Sequence, residues 1–340
     1  MTRAVAIAAC CLIPLAAAQK AIPESADPAR RAADFIRTYP DPSKAPFETL
    51  SRLYDYDRKA PLDLKESGVE TRGGIQIHEI SYASPLGGRV PASVFVPPGK
   101  GPFAGMILMH GGGGNRGQMV SAALMFAKTG AVCLTLDAPF SGGRAIPGQE
   151  IQDWEHAERS TGGLIQNIVD LRRGVDLLLA RPDIDPNRLG FYAASFGAIT
   201  GGVLAGLEHR IQAYVLMSCP ASFNDAQVER RLKVSRTMPK EEFARSTAIM
   251  EIGAPVYYVG HAAPSALLIQ IGEKDVSIPR ASAERLYKAA SDPKLLRWYD
   301  GGHGLNNQAR LDSSAWLQKQ IGIGPLDAAD QQRLSAAPRK

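Results

Sequence analysis

GFYAASFG, residues 190–197, closes an apolar run, presents Ser195, and passes at once into a stretch rich in small side chains: Gly197, Ala198, Gly201 and Gly202. That order describes a strand buried on both faces, a sharp turn, and a helix that begins immediately. In such a turn the serine projects from a strained backbone at the head of the helix, where unpaired N–H groups face developing negative charge. The position two before the serine is Ala193, where the G-x-S-x-G pattern has glycine, and alanine is still small enough for the turn to close. A serine among small residues is usually structural. Its place at the strand–helix junction is what makes Ser195 a candidate nucleophile.

Working outward, the segments on either side repeat the theme. Ile75–Ala83 and Arg89–Val96 alternate apolar and polar residues around Pro85, Gly87 and Gly88, the pattern of a β-hairpin with one half-exposed side. Phe103–Met109, Ala131–Leu136 and residues 188–193, 211–217 and 266–271 are nearly continuous apolar runs, as in parallel strands covered on both faces. Residues 295–299 supply a last strand. Helical patterns fall between them at residues 119–129, 163–180, 196–207, 281–290 and 313–321. Strand and helix alternate, so the class is α/β, an antiparallel hairpin leading into a mostly parallel sheet with helices on both faces. Residues 71–325 form this unit. Residues 19–70 are read as an N-terminal helical extension with amphipathic pieces at 29–39 and 46–56, and residues 326–340 as a C-terminal tail. Residues 220–260 are longer than a crossover needs, and charged and helix-prone over 225–251. They are read as a small helical cap inserted above the sheet.

A serine hydroxyl needs a base to take its proton. Six histidines are available. His78, His156 and His209 sit in the hairpin, on an amphipathic segment and in a short turn, and are most simply structural; His261 is a weaker candidate at the end of the cap. His303, in YDGGHGL directly after the last strand, has glycines on both sides that let its imidazole approach another backbone. It is the base, and later the acid for the leaving group. Asp275, in GEKDVSIP after the strand at 266–271, is the carboxylate that orients it; Glu273 and Asp300 compete for that role. The oxyanion requires preformed donors. HGGGGN at residues 110–115 follows a strand and precedes a helix, so the amide of Gly111 or Gly112, with that of Phe196, can supply them. No Lys-Ser/Thr follows these glycines, which argues against a phosphate loop. His110 is read as a support for the loop.

Composition excludes other classes. The net charge of +5 over 340 residues reads as dispersed surface lysine and arginine, and no basic run interleaved with aromatics points to nucleic acid. Arg3, the apolar residues 4–15 and Ala16-Ala17-Ala18 have the layout of a secretory signal peptide over residues 1–18, with an apolar run too short to span a bilayer comfortably. The mature chain is therefore expected to be periplasmic or secreted, without a membrane span. Cys133 and Cys219 are expected as buried free thiols.

Residues 75–320 resemble the α/β-hydrolase superfamily, in particular its dienelactone-hydrolase and acetyl-xylan-esterase-like branch. The resemblance rests on HGGGGN at 110–115, DAPFSGGR at 137–144, DLRRGVDLLLARPDIDPNRLGFYAASFG at 170–197, IGEKDVSIP and YDGGHGL. It implies an eight-stranded sheet in the order 1-2-4-3-5-6-7-8, metal- and cofactor-free hydrolysis, and an acyl-enzyme on Ser195. In such relatives the loop starting at Asp137 lies near the pocket, so Asp137 and Arg144, otherwise structural, are candidate substrate contacts. The expected activity is hydrolysis of short-chain acyl or acetyl esters on a small molecule or polysaccharide. An exported peptidase or amidase would use the same residues. A non-catalytic binding module typically lacks the serine or the histidine, and both are present here.

Overall fold

A computed structural model of the chain describes residues 26–226 and 229–335. The expected signal peptide lies outside them. The strands are β1 (Lys65–Arg72), β2 (Ile75–Ala83), β3 (Arg89–Val96), β4 (Phe103–Met109), β5 (Ala131–Leu136), β6 (Ile184–Ala194), β7 (Ala213–Met217), β8 (Ala266–Gly272) and β9 (Lys294–Tyr299). They form one sheet in the order β1-β2-β3-β5-β4-β6-β7-β8-β9. Pairing is antiparallel from β1 through β3 to β5 and parallel from there on. Without β1, the order is the one the resemblance implies.

The sheet thus has nine strands among the described residues, where eight were expected, and the ninth lies largely inside the stretch read as a helical extension. All eight residues of β1 are exposed. With no buried face, it carries no hydrophobic alternation to read. It is held by backbone pairing to β2 from Arg72↔Ile75 to Lys65↔Ser81, after a turn in which Gly73 and Gly74 both take positive φ.

Helices cover both faces. On one side lie α1 (Pro28–Thr38), α4 (Ala157–Leu179), α5 (Phe196–Ala205) and α8 (Arg280–Ala289); on the other lie α3 (Val120–Lys128), α9 (Asn307–Ile321) and α10 (Ala328–Ser335). A short α2 (Phe47–Arg52) follows α1. The strands' apolar runs divide between two cores. Ile107, Met109, Phe191, Ala193, Tyr214 and Leu216 face the first, and Met106, Leu108, Tyr192, Val215 and Met217 the second. A period of two with both faces buried explains why these strands lack polar alternation.

Residues 220–260 carry α6 (Glu229–Thr237), α7 (Lys240–Glu251) and two 3₁₀ turns. α7 packs on α4, where the Thr161 hydroxyl donates to Ile249 O at 3.2 Å. The segment read as a tail contains α10, which sends Leu334 into the second core while Asp330 pairs with Lys128 at 3.0 Å.

Candidate active site

The residues singled out from the sequence converge on one edge, the C-terminal ends of the parallel strands. β4 leads into residues 110–115, β6 into Ser195, β7 into Ser218, β8 into Asp275 and β9 into His303. Ser195 has φ 55° and ψ −123°, left-handed backbone that an L-residue adopts only under strain. The turn is held from both sides: Ser195 N–H donates to Met217 O at 2.9 Å, and Ser195 O accepts from Ile199 N–H at 2.9 Å. Gly197 explains how α5 can start so close to the sheet. A Cβ there would stand 2.6 Å from Met109 O, 2.7 Å from His110 O and 3.0 Å from the Ala193 Cβ. Any side chain at Gly197, two residues after the serine, would press on two backbone carbonyls, whereas position 193, two residues before it, accommodates alanine.

His303 Nε2 lies 2.9 Å from Ser195 Oγ, and its Nδ1 lies 2.9 Å from Asp275 Oδ2. The Asp275 carboxylate is fully buried, and its other oxygen accepts from the amides of Ser277 at 2.8 Å and Ile278 at 3.2 Å. Burial pushes the Asp275 pKa up, but the His303 hydrogen bond and charge together with the two amides outweigh it, and the net direction is below the ordinary carboxylate value. The acid and histidine loops touch through backbone: Lys274 N–H donates to Gly301 O at 2.9 Å, and a Cβ on Gly272 would collide with the carbonyls of Gly301 and Gly302. Ser218, left-handed at φ 50° and wholly buried, donates its hydroxyl to the carbonyl of His303 at 2.7 Å.

The glycine loop runs beside the serine. A Cβ built on Gly111 would lie 3.8 Å from the Ser195 Cβ, and one on Gly112 3.7 Å from the Phe196 Cβ. His110, 2 % exposed, supports the loop as expected. Its Nε2 accepts from Ala138 N–H at 3.2 Å, so the ring proton sits on Nδ1 and is donated to Gly111 O at 2.8 Å. Burial lowers the His110 pKa, offset in part by the Gly111 carbonyl and the Asp137 charge, and keeps the ring neutral. With Gly111 O tied to the imidazole, the Gly112 N–H of the same planar peptide points the opposite way.

A cavity of about 260 Å³ opens over this loop, walled by Phe140, Ile151, Gln152 and Phe196 among others. Asp137 and Arg144 are not drawn into the Ser195 constellation. Asp137 is fully buried and accepts from the Arg116 amide at 2.8 Å, the Arg116 guanidinium at 2.5 Å and the Gly143 amide at 2.9 Å. Arg144 is engaged with Asp170 at 2.7 Å and Asp137 O at 3.2 Å. Both brace the loop that walls the cavity. His261 stacks on Phe47 with ring centroids 3.5 Å apart, His78 pairs with Glu66 and His156 with Asp153. Asp300 pairs with Lys274 at the surface, and Glu273 is exposed. Cys133 and Cys219 are buried free thiols, and burial pushes both pKa values up.

Sequence reasoning missed Ser218 and Gln152. Ser218 obeys the rule that located the others, being the first residue past a parallel strand. Gln152 lies in an irregular stretch between β5 and α4 where no periodicity marks it.

Strand order, a strained serine after β6, an acid after β8 and a histidine after β9 define the α/β-hydrolase fold. No family profile and no curated protein sequence matches the chain. Solved structures do. An acetyl xylan esterase from Paenibacillus sp. R4 is 18% identical, with 81% of this chain and 92% of that chain covered and a TM-score of 0.62. Acetyl xylan esterase 1 from Thermoanaerobacterium sp. JW/SL YS485 is 17% identical over 79% of this chain and 92% of that one, with a TM-score of 0.64. A glucuronoyl esterase from Solibacter usitatus is 14% identical over 81% and 91%, with a TM-score of 0.53. These likenesses are likenesses of fold.

Proposed function

We propose that this chain is an exported serine hydrolase that cleaves carboxylic esters, with short acyl groups preferred. The observation that carries the reading is the continuous hydrogen-bonded line from Ser195 Oγ through His303 to the buried Asp275, with 2.9 Å at each step. His303 Nε2 takes the Ser195 proton as Oγ attacks the ester carbonyl. The amides of Phe196 and Gly112 hold the oxyanion, Asp275 stabilises the imidazolium, and the alcohol departs with the proton from Nε2. Water, activated by the same histidine, then attacks the acyl-enzyme and releases the acid. The esterase names of the structural neighbours support a small ester over a long-chain lipid. Among the described residues no helix is long and apolar enough to cross a membrane. Export rests on the sequence of residues 1–18.

The test is a nitrophenyl ester series from acetyl to long acyl, run on wild type and Ser195→Ala. Serine-dependent turnover that falls with chain length is the expected result, with a loss of at least a thousandfold in the variant. Full activity in Ser195→Ala would sink the proposal. Turnover of amides alone would move the assignment to a peptidase, and no turnover of either to a binding module.

A further inference from the structure

We infer that Gln152 is a specificity-determining residue that binds a hydroxyl on the alcohol portion of the ester, an inference that rests on the ester-hydrolase reading. Its side-chain Oε1 stands 2.5 Å from where a Cβ on Gly112 would lie, so the carboxamide is laid over the glycine proposed as an oxyanion donor. The Gln152 carboxamide makes no hydrogen bond among the described residues. The other neutral polar side chains of the cavity are engaged by the protein: Asn115 Oδ1 accepts from Gly117 N–H at 2.9 Å, and the Ser141 hydroxyl donates to Ala138 O at 2.9 Å.

The backbone on either side of Gln152 is pinned. The Ser160 hydroxyl, buried in α4, donates to Ile151 O and accepts from Asp153 N–H at 3.1 Å. Trp154, 1 % exposed, is held to the 220–260 segment by its Nε1 on Asn224 at 3.3 Å and by the Ser246 hydroxyl on its carbonyl. A half-buried carboxamide with no protein partner on the wall of a cavity, carried on a backbone fixed before and after it, is placed to exchange solvent for a polar group that enters. A carboxamide both donates and accepts, which matches a hydroxyl and suits neither an alkyl chain nor a bare aromatic ring. A short acyl group leaves no hydroxyl to satisfy, so the partner belongs to the alcohol.

The test holds the acyl group constant and changes the alcohol: nitrophenyl acetate against glycerol monoacetate, with wild type, Gln152→Met and Gln152→Ala. Both variants are expected to lose about five- to tenfold in kcat/KM on glycerol monoacetate, mostly through KM, and less than threefold on nitrophenyl acetate. Labelling of Ser195 by a fluorophosphonate at the wild-type rate verifies that each variant is folded. Equal losses on both substrates would overturn the inference, since they would mean that Gln152 serves the loop and not the alcohol. Undiminished turnover of glycerol monoacetate by the variants would overturn it too, as would a wild type that hydrolyses nitrophenyl acetate but not the glycerol ester. Failure of the ester-hydrolase reading is separate: wild type would then turn over neither.

Discussion

Gly197→Ala perturbs the contact on which the Ser195 turn depends. The added methyl would sit 2.6 Å from Met109 O and 2.7 Å from His110 O, and ordinary contact begins near 3.4 Å, so one side must retreat by about 0.8 Å. Both obstacles are backbone carbonyls at the end of β4, fixed by the pairing of Leu108 with Thr135 and of Met109 with Ala193. A rotamer change cannot relieve them. Overpacking of this kind costs about 1–3 kcal/mol, while alanine's better helix propensity returns at most about 1 kcal/mol, so the net is destabilising or near zero. Stability alone is therefore a weak test, with a fall in Tm of up to roughly 4 °C. Catalysis is the strong one. The retreating carbonyls lead directly into His110 and Gly111, so the glycine loop moves relative to Ser195, and a shift near 1 Å costs about a hundredfold in rate. The assay is kcat on nitrophenyl acetate beside a thermal melt. The double variant Ala193→Gly, Gly197→Ala removes only the 3.0 Å contact and leaves both carbonyls in place, so it is expected to recover little. Gly197→Ala with kcat within threefold of wild type would refute the reasoning, as would full recovery in the double variant.

Asp275→Asn is expected to lower kcat by about 10³–10⁴ with KM little changed, because an amide donating to Nδ1 leaves the proton on Nε2, where Ser195 needs an acceptor. The same variant bears on acid stability. Folding holds the Asp275 pKa below its ordinary 3.8, so its contribution is present above about pH 4 and is lost as pH falls through the lower folded value. Melts from pH 6 down to pH 2.5 are expected to show a shallower acid limb in Asp275→Asn than in wild type, and parallel limbs would contradict the assigned shift. Ser218→Ala removes the hydroxyl on His303 O and is expected to cut kcat about three- to thirtyfold, with little change in KM. An unchanged kcat would leave Ser218 without a part in positioning His303.

The sequence was legible where chemistry and geometry coincide. Ser195 and Asp275 each follow a doubly buried strand, and such strands announce themselves as unbroken apolar runs because each face meets its own core; His303 follows the half-exposed edge strand β9 and was legible instead from the glycines that flank it. The same logic hid β1: KESGVETR buries nothing, so no side chain records that its backbone is paired. It also left Asp137 and Arg144 open. A charged residue in a pocket-side loop reads alike whether it meets substrate or an internal partner, and only the fold reveals Arg116 against one and Asp170 against the other.

Gln152 marks the limit most clearly. Nothing near it in sequence is periodic, and its place is set by Gly112 in the loop after β4, Phe196 at the start of α5, and Ser160 of α4, which holds the residues on either side of it. The proposed Ser195, His303 and Asp275 were readable, because the proposed chemistry dictates their residue types and the strand ends dictate their places. Selectivity has no such constraint: it lives in loops, where any side chain of suitable length and polarity will serve. The strained serine and its partners therefore argue for a reaction class. The choice of ester depends on the wall at 138–152, and exchanging Gln152 while leaving Ser195, His303 and Asp275 untouched separates the two.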